Sequence, residues 1–293
     1  MKVLITGATG QLGSAAHAHF AGRHDVVALS RAALDLSDAT AVTDRVEAER
    51  PELILNCAAY TNVDGAEDHP LEALRVNAIG VQSLARAAAD HDAVLVHYST
   101  DFVFDGRAAS PYVETDAPRP QGVYAASKLL GEWLAAACPS AYVLRVESLF
   151  GGPAAKSSVD KILDALSGGR PAPVFVDRIV SPSYVFDVVT ATEELIARAA
   201  PYGLYHCVNT GSATWHELGE ALVRRLACSN TLQPVSFASV SMKAVRPRYC
   251  ALSNDKLRRA GVDMPTWQNA LDRYVARWRA RREQGARELG TGE

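Results

Sequence analysis

Tyr124 and Lys128 are the side chains of this sequence best suited to proton transfer. On a helix, a spacing of four puts both on one face, about 5–6 Å apart at Cβ. A lysine ammonium near a phenol stabilises the phenolate, so we expect Lys128 to lower the pKa of Tyr124 and make it an acid or base near neutral pH. Reduction of a carbonyl by hydride transfer needs such a proton donor.

A second polar group, Ser99-Thr100-Asp101, follows an apolar run that is typical of a strand. A hydroxyl at the carboxyl end of a parallel strand can hydrogen-bond and orient a reacting carbonyl. Thr100 is the first choice and Ser99 the second, because neighbours along a strand point to opposite sides. Either hydroxyl could instead cap the following loop.

Three glycines, Gly7, Gly10 and Gly13, join the first predicted strand to a helix. Gly7 permits a tight turn, Gly10 lets backbone N–H groups approach a pyrophosphate, and Gly13 lets the helix pack closely on the strand. The helix N-terminus then faces the anion. The pattern favours a dinucleotide site over a purely structural turn.

The end of the second predicted strand indicates which dinucleotide is preferred. A carboxylate there holds the ribose 2′-OH of NAD, whereas an arginine suits a 2′-phosphate. Ser30 and Arg31 therefore favour NADPH, with NADH as the alternative and Arg31 as an ordinary surface cation as the other interpretation. Asp35 and Leu36 follow where a loop could reach the adenine.

The elements that must position these side chains alternate along the first half of the chain. Short β-branched runs and longer alanine- and leucine-rich segments are typical of βαβ units. Right-handed crossovers then give an α/β fold, a doubly wound parallel Rossmann sheet. The predicted strands are Lys2–Thr6, Val26–Ser30, Leu53–Asn56, Ala93–Tyr98 and Ala141–Val146. The predicted helices are Gln11–Ala21, Ala41–Arg50, Pro70–Asp90 and Gly122–Ala137.

After Gly151-Gly152-Pro153 the regular alternation of predicted strands and helices gives way to shorter segments interrupted by prolines. We therefore expect a dinucleotide-binding domain at 1–150, to which 181–202 returns. A smaller C-terminal substrate-binding lobe is expected at 151–180 and 203–280, followed by a flexible tail at 281–293.

Composition argues against several other functions. The 293 residues carry a net charge of −3, which argues against a nucleic-acid partner. Five widely spaced cysteines without a Cys-x-x-Cys pair indicate neither disulfides nor a metal site and suit a reducing cytoplasm. No stretch approaches 18 uninterrupted apolar residues, so no membrane span is expected.

Taken in order, longer motifs make the chain resemble an extended short-chain dehydrogenase/reductase. In finer detail it is similar to the dTDP-4-dehydrorhamnose reductase family, from residue 1 to about residue 278. The motifs that carry this resemblance are Gly10-Gln11-Leu12-Gly13, residues 56–64, Val76-Asn77, residues 97–106, Tyr124 to Lys128, Ser181-Pro182-Ser183-Tyr184 and Arg246-Pro247.

The resemblance implies NADPH-dependent reduction of the 4-keto group of a nucleotide-linked 4-keto-6-deoxyhexose, with dTDP as the expected nucleotide. It implies Thr100, Tyr124 and Lys128 as the catalytic residues. The implied cofactor-binding residues are Gly7, Gly10, Gln11, Leu12, Ser30, Arg31, Asp35, Leu36, Ala58, Ala59, Tyr60, Asn77, Ser99, Tyr124 and Lys128. The implied substrate contacts are Thr100, Asp101, Phe102, Ser148 and Arg246, the last at the diphosphate.

Departures from the family pattern fall in the expected substrate contacts. Ser148 replaces a tryptophan in the segment that follows strand five, and Arg178 and Cys250 stand in two further altered motifs. Phe102 occupies the position where related dehydratases carry a proton-abstracting glutamate, so dehydration is disfavoured. Ala15 stands where some members place a ligand for a dimer-bridging Mg²⁺, so no metal is expected and a homodimer is left open.

Two alternatives come from neighbouring functions. One is a non-catalytic nucleotide-binding subunit like the β subunit of methionine adenosyltransferase, which shares many of these motifs. The other is a nucleotide-sugar epimerase that retains its NAD. The intact Thr100, Tyr124 and Lys128 favour catalysis over the regulatory alternative.

Overall fold

A six-stranded parallel sheet forms the centre of the structure, a computed structural model that describes residues 1–153, 156–228 and 231–290, with side chains as far as 284. The spatial order is β2, β1, β3, β4, β5, β10, and every neighbouring pair is parallel. The strands are β1 (Lys2–Thr6), β2 (Asp25–Leu29), β3 (Leu53–Asn56), β4 (Val94–Thr100), β5 (Ala141–Val146) and β10 (Gly203–His206). The prediction of a doubly wound sheet is confirmed.

The chain changes direction across the sheet between β1 and β3. The chain leaves β1 for β2 on one side and returns to place β3 on the other. In register, Thr6 at the end of β1 lies beside Leu29 and Asn56. Ligands of open α/β sheets bind outside the carboxyl ends of strands at such a reversal.

Helices cover both faces of the sheet because the buried strands are apolar on both sides. One face packs in a core with α1 and α8, which supply Leu12, Phe20 and Val188. The other packs with α2 and α5, which supply Val46 and Leu84. The helices of these layers are α1 (Gln11–Phe20), α2 (Ala39–Glu49), α3 (Val63–Asp68), α4 (Pro70–Leu74), α5 (Gly80–Asp90), α6 (Val123–Ala135) and α8 (Val185–Ala197).

The predicted helix Pro70–Asp90 is divided by a turn of π-helix at Arg75–Ile79. Asn77 within this turn is fully buried, and its side chain accepts from Tyr60 N and donates to Ser127 Oγ. These contacts tie the loop after β3 to helix α6. A local change in helix type redirects one side chain without ending the helix, which periodicity does not predict.

The predicted domain boundary at 203 is wrong for one strand. Gly203–His206 pairs in parallel with β5 and extends the central sheet, although the sequence placed it in the smaller lobe. Tyr205 and His206 are buried there. Helix α8 packs on the sheet and supplies the crossover to this strand, so the segment continues the βαβ pattern of the first half.

The smaller lobe has its own hydrophobic core. Trp215, Leu218 and Leu222 pack there against Leu163 and Trp267. The lobe's elements are β6 (Leu149–Phe150), α7 (Ser158–Ser167), β7 (Ala172–Phe175), β8 (Ile179–Val180), β9 (Ser183–Tyr184), β11 (Ala213–Thr214), α9 (Trp215–Leu226), β12 (Leu232–Val235) and α11 (Trp267–Gly290). Helix α10 (Asp255–Arg259) packs instead beside β10, with Leu257 in the core of the sheet. Short 3₁₀ turns lie at Asp101–Val103, directly after β4, and at Phe237–Ser239.

The C-terminal end differs from the flexible tail predicted at 281–293. Helix α11 continues through residues 281–290, and residues 291–293 lie outside the described part of the chain. Nowhere in the described ranges is a helix both long and apolar enough to cross a bilayer.

Candidate active site

Two cavities meet at the carboxyl edge of the sheet. The larger has a volume of about 590 Å³ and begins at the glycine loop. The smaller, about 280 Å³, lies between the sheet and the smaller lobe. Ser99 and Tyr124 line both cavities, so a group in the larger one can meet a group in the smaller one at these side chains.

The glycine loop packs so tightly that two of its glycines leave no room for a side chain. Gly7 has φ +64°, and a Cβ there would lie 2.7 Å from the Ala58 backbone. A Cβ on Gly13 would lie 2.2 Å from Gly7 O. Helix α1 begins after Gly10 without a side-chain cap, so its first N–H groups are open to a ligand.

The far end of the larger cavity carries Arg31 beside two carboxylates. Its side chain is 73% exposed; Nη2 donates to Glu72 Oε1 at 3.3 Å, and Nε lies 3.9 Å from Asp35 Oδ2. Asp35 also accepts from Ser37 N, and this hydrogen bond is the main cause that lowers the pKa of its carboxyl. An exposed guanidinium at this place can pair with a phosphate.

Most of the residues expected at the cofactor line the larger cavity. Two do not lie on its wall: Ser30 Oγ accepts from Ala33 N, and Asn77 is buried behind Tyr60. Asn77 is therefore a positioning residue in this structure. The expected residues that line the cavity are Gly7, Gly10, Gln11, Leu12, Arg31, Asp35, Leu36, Ala58, Ala59, Tyr60, Ser99, Tyr124 and Lys128.

Lys128 lines the larger cavity, where a backbone carbonyl binds its ammonium group. Nζ donates to Tyr98 O at 2.7 Å and lies 3.5 Å from His97 Nε2. Burial lowers the pKa of Lys128 to about 8, opposed by Glu132. Burial also lowers the pKa of His97, so the imidazole is neutral beside the ammonium.

The expectation that Lys128 lowers the pKa of Tyr124 is wrong in this structure. Burial and, after it, the charge of the Asp101 carboxyl raise the pKa of Tyr124 to about 12, and a hydrogen bond with Thr100 opposes the shift. The lysine has its hydrogen bond with Tyr98 O instead. The phenol therefore keeps its proton at neutral pH, which is the state a proton donor needs.

Thr100 and Ser99 point in different directions, as alternation along β4 predicts. Thr100 Oγ1 donates to Asp101 Oδ1 at 3.0 Å and accepts from Phe102 N at 3.2 Å. Ser99 Oγ donates to Glu132 Oε1 at 2.6 Å, inside a buried Glu132–Arg145 pair. The Thr100 hydroxyl therefore lies at the smaller cavity, whereas Ser99 Oγ hydrogen-bonds Glu132 of α6.

The expected substrate contacts divide into two groups. Thr100, Asp101, Phe102 and Ser148 line the smaller cavity. Arg246 is not on the wall of either cavity, and its guanidinium forms a two-pronged ion pair with Asp64 at 2.8 and 2.9 Å. The two carboxylate oxygens of Asp64 bind the guanidinium as two phosphate oxygens of a diphosphate would. Arg246 is therefore already paired with a protein group in this structure.

Several charged or aromatic lining residues were not assigned as site residues in the sequence analysis, which noted Arg178 only as part of an altered motif. Glu147, Arg178 and Trp215 line the smaller cavity, and Lys156 lines the larger one. For Glu147 the signal was available, since a carboxylate directly after the buried strand β5 is unusual unless it has partners. The position of Trp215 depends on how the lobe folds over the sheet, which no local pattern gives.

Comparisons with known proteins match the whole described fold. A family model described as the RmlD substrate binding domain matches residues 1–280. A dTDP-4-dehydrorhamnose reductase of Mycobacterium tuberculosis is 38% identical over 284 residues, covering 94% of this chain and 92% of that protein. A probable dTDP-4,6-dihydroxy-2-methyloxan-3-one 4-ketoreductase of Streptomyces antibioticus is 34% identical, covering 92% of this chain and 93% of that protein. The solved dTDP-4-dehydrorhamnose reductase of Bacillus anthracis, in complex with NADP, is 33% identical with a TM-score of 0.90, covering 94% of this chain and 99% of that one.

Proposed function

The chain belongs to the RmlD substrate-binding-domain family, and on that premise we propose that it is an NADPH-dependent nucleotide-sugar reductase. Its reaction is the reduction of the 4-keto group of a nucleotide-linked 4-keto-6-deoxyhexose, with dTDP as the nucleotide. One observation carries the proposal. Tyr124 and Ser99 lie where the two cavities meet, and Thr100 lies directly beside them on the wall of the smaller cavity.

The larger cavity fits a dinucleotide. Gly7 and Gly13 sit where a Cβ would collide with backbone, and the uncapped N-terminus of α1 adjoins them, as a pyrophosphate site requires. Arg31 at the other end suits a 2′-phosphate. The NADP complex of the Bacillus anthracis relative supports the same assignment.

The chain's own residues supply and direct the proton. NADPH, when bound, supplies the hydride that reduces the carbonyl carbon. Thr100 now donates its one hydroxyl hydrogen to Asp101, and on substrate binding it would turn this hydrogen to the carbonyl oxygen from the wall of the smaller cavity. The Tyr124 O–H gives its proton to that oxygen as negative charge develops there. The resulting phenolate takes a proton from water, which restores Tyr124. Lys128, whose ammonium donates to Tyr98 O, lines the larger cavity, where it can donate a hydrogen bond to the bound dinucleotide.

The smaller cavity suits the sugar. Phe102 and Trp215 supply apolar contact area, and the polar groups at its base can orient a ring. We assign the smaller lobe, which covers this cavity, as the substrate-binding part of the chain.

Catalysis is favoured over the alternatives. The dTDP-4-dehydrorhamnose reductases and the 4-ketoreductase described above are 33–38% identical to this chain, whereas two solved UDP-glucose 4-epimerases that share the fold are only 21% and 22% identical. A regulatory subunit has no need of a protonated phenol at the junction of two cavities. The cytoplasmic location and the homodimer stay predictions of the sequence.

The test is a screen of NADPH oxidation against dTDP-, UDP- and GDP-linked 4-keto-6-deoxyhexoses. We expect turnover on at least one of them and a hundredfold or larger loss of kcat in Tyr124→Phe, because that variant lacks the proton donor, with NADPH affinity retained in calorimetry. Tyr202→Phe, an exposed phenol, is the matched control. Wild-type turnover by Tyr124→Phe, or no oxidation with any sugar, would contradict the proposed function.

A further inference from the structure

A row of polar side chains lies buried at the carboxyl edge of the sheet. Thr6, Asn56 and His97, named here the polar row, stand side by side in register on β1, β3 and β4. Their exposed fractions are 1%, 1% and 0%. Polar groups in a buried sheet cost free energy unless they are paired, so a row of three points to a role. The proposed reaction uses none of them.

The polar row is a chain of hydrogen bonds that ends at Lys128. Thr6 Oγ1 donates to Asn56 Oδ1 at 2.8 Å, and Asn56 Nδ2 lies 3.0 Å from His97 Nδ1. The other ring nitrogen, His97 Nε2, lies 3.5 Å from Lys128 Nζ. Gly131 on α6 leaves room for this approach, because a Cβ there would lie 3.3 Å from His97 Nε2.

The hydroxyl of Thr6 gives this chain its direction. A hydroxyl carries a single hydrogen, and within the residues that the structure describes Thr6 Oγ1 has Asn56 as its one hydrogen-bond partner. The Asn56 carbonyl therefore accepts from Thr6, and its amide nitrogen donates to His97 Nδ1. With the amide reversed, the buried hydroxyl hydrogen would have no acceptor, which costs free energy.

The direction of the chain fixes the tautomer of His97. Burial lowers the pKa of His97, so its ring is neutral and carries one hydrogen. Because Nδ1 accepts from Asn56, this hydrogen is on Nε2, the atom that faces Lys128. An ammonium can only donate, whereas an uncharged amine has a lone pair that can accept. The N–H group of His97 therefore suits the amine form of Lys128 and opposes the ammonium.

The other titratable groups around Lys128 do not cancel this effect. Glu132, one turn further along α6, favours the ammonium, but the Arg145 guanidinium binds its carboxylate at 2.7 and 2.8 Å. Tyr124 and Cys57 line the same cavity as Lys128. Burial raises the pKa of both, so they carry no charge at neutral pH.

We propose that the polar row holds an N–H group against Lys128, favours its uncharged amine and thereby limits the pH range in which Lys128 binds NADPH as an ammonium. The members of the row are positioning residues, since they act on the dinucleotide only through Lys128. Burial lowers the pKa of Lys128 to about 8, and the His97 N–H acts in the same direction. An ammonium is the stronger donor to an anionic ligand, so NADPH affinity falls as the proton is lost. The role of Lys128 at the cofactor rests on the proposed function, whereas its protonation does not.

The first experiment determines the tautomer of His97 by nuclear magnetic resonance of ligand-free protein labelled with ¹⁵N-histidine. The His97→Gln variant identifies the signal among those of the eight histidines. We expect the hydrogen on Nε2 in the wild-type protein at pH 7, because Asn56 donates to Nδ1. A hydrogen on Nδ1 would overturn the inference.

The second experiment titrates Lys128 in protein labelled with ¹³C-lysine, and Lys128→Met identifies its signal. Thr6→Val replaces the hydroxyl by a methyl group of similar size, so the Asn56 amide can reverse and His97 Nε2 can accept from the ammonium. We expect the midpoint of the titration to rise by about one pH unit or more. Thr6→Ser keeps the hydroxyl hydrogen and should titrate like the wild-type protein.

Two comparisons separate this role from a merely structural one. A structural role would lower the free energy of unfolding of Thr6→Val without raising the midpoint for Lys128. Thr192→Val removes another buried hydroxyl, the partner of Tyr98 OH, and should leave the midpoint unchanged because it lies outside the polar row. An unchanged or lower midpoint in Thr6→Val, or an equal rise in Thr192→Val, would overturn the inference.

Calorimetry of NADPH binding between pH 7 and 10 measures the consequence for the cofactor. At pH 9 we expect Thr6→Val to bind NADPH about threefold or more tighter than the wild-type protein, because more of its Lys128 stays charged. Equal affinities at pH 9 despite a raised midpoint would overturn the link to NADPH. Failure of the proposed function is distinct, since neither protein would then bind NADPH at any pH, and the two resonance experiments would still decide whether the polar row sets the protonation of Lys128.

Discussion

Burial controls the protonation of the two proposed catalytic side chains in the larger cavity. Lys128 and Tyr124 prefer their uncharged forms more than they would in water, because water is excluded from both. The hydrogen bond from Lys128 to Tyr98 O offsets part of this cost for the ammonium. At neutral pH the site therefore holds a Tyr124 phenol that can donate a proton and a Lys128 ammonium that is close to losing its proton.

The Lys128 ammonium gives a prediction for stability against pH. Its folded pKa, about 8, lies below 10.5, the ordinary pKa of a lysine, so the folded state binds fewer protons between these values. The free energy of unfolding should then rise with pH from about 8 to 10.5, by up to about 3 kcal/mol from this group. Urea unfolding at pH 7.5 and 9.5 measures the rise, and Lys128→Met should lack this contribution.

The comparison of the two proteins removes the effect of every other titrating group. Asp164→Asn, at an exposed carboxylate, serves as a control that should keep the wild-type slope. An identical pH slope in wild type and Lys128→Met would show that Lys128 does not carry a depressed pKa in the folded state.

At the level of single residues, the sequence predicted identities better than contacts. Tyr124, Lys128 and Thr100 lie together as their spacing and order indicate. The partner of Lys128 was wrong, because a backbone carbonyl, Tyr98 O, offers the ammonium a hydrogen bond that no residue type reveals. Arg246 was expected at a diphosphate, yet a carboxylate 182 positions away, Asp64, takes its guanidinium.

Among the elements, the strands of the sheet were the most predictable. β1, β3 and β5 begin and end where the sequence predicts, because parallel strands buried on both faces are continuous apolar runs between polar turns. β10 was missed because its segment, Gly203–His206, begins with glycine and ends with histidine and so is not a continuous apolar run like β3. Pairing with β5 supplies its stability from outside the segment.

The turn between β1 and α1 gives a prediction at this scale. In Gly13→Ala the new Cβ would lie 2.2 Å from Gly7 O, so the glycine loop must shift. We expect at least a tenfold loss of NADPH affinity in calorimetry and a loss of about 1–3 kcal/mol in the free energy of unfolding.

Gly22→Ala is the matched control, because no atom lies within 4 Å of a Cβ built there. It should change the free energy of unfolding by less than about 0.5 kcal/mol and leave NADPH affinity intact. Unchanged affinity in Gly13→Ala would mean that the loop does not need its present path to bind the dinucleotide.

At the scale of the whole molecule, two hydrophobic cores meet at α8. Phe186 packs against the core of the sheet and against the core of the smaller lobe. Next to it, Asp187 accepts from both ends of the Arg273 guanidinium, at 2.7 and 2.6 Å, and from Asn209 Nδ2 at 2.7 Å. Arg273 belongs to α11, so this ion pair joins the last helix to the sheet layer.

Phe186 and the Asp187–Arg273 ion pair form a joint between the two cores. We therefore expect the sheet and the lobe to unfold together. The tryptophans Trp215, Trp267 and Trp278 pack in the lobe, whereas Trp133 on α6 is 63% exposed, so fluorescence reports chiefly on the lobe. Far-ultraviolet circular dichroism reports on all helices and strands. We expect the two signals to give coincident urea transitions in the wild-type protein.

Arg273→Ala tests what holds the joint. It removes the guanidinium from Asp187, whose side chain is 8% exposed, and leaves that carboxylate with Asn209 as its remaining side-chain donor. Because Arg273 is itself 42% exposed, we expect a loss of about 1–3 kcal/mol in the free energy of unfolding, less than for a fully buried pair. Arg258→Ala, which breaks an exposed pair with Asp255, should cost less than about 1 kcal/mol.

If the fluorescence transition of Arg273→Ala moves to lower urea while the dichroism transition stays, the ion pair is what couples the lobe to the sheet. If both move together, Phe186 and the shared apolar contacts couple them without it. Separate transitions already in the wild-type protein would contradict the joint itself.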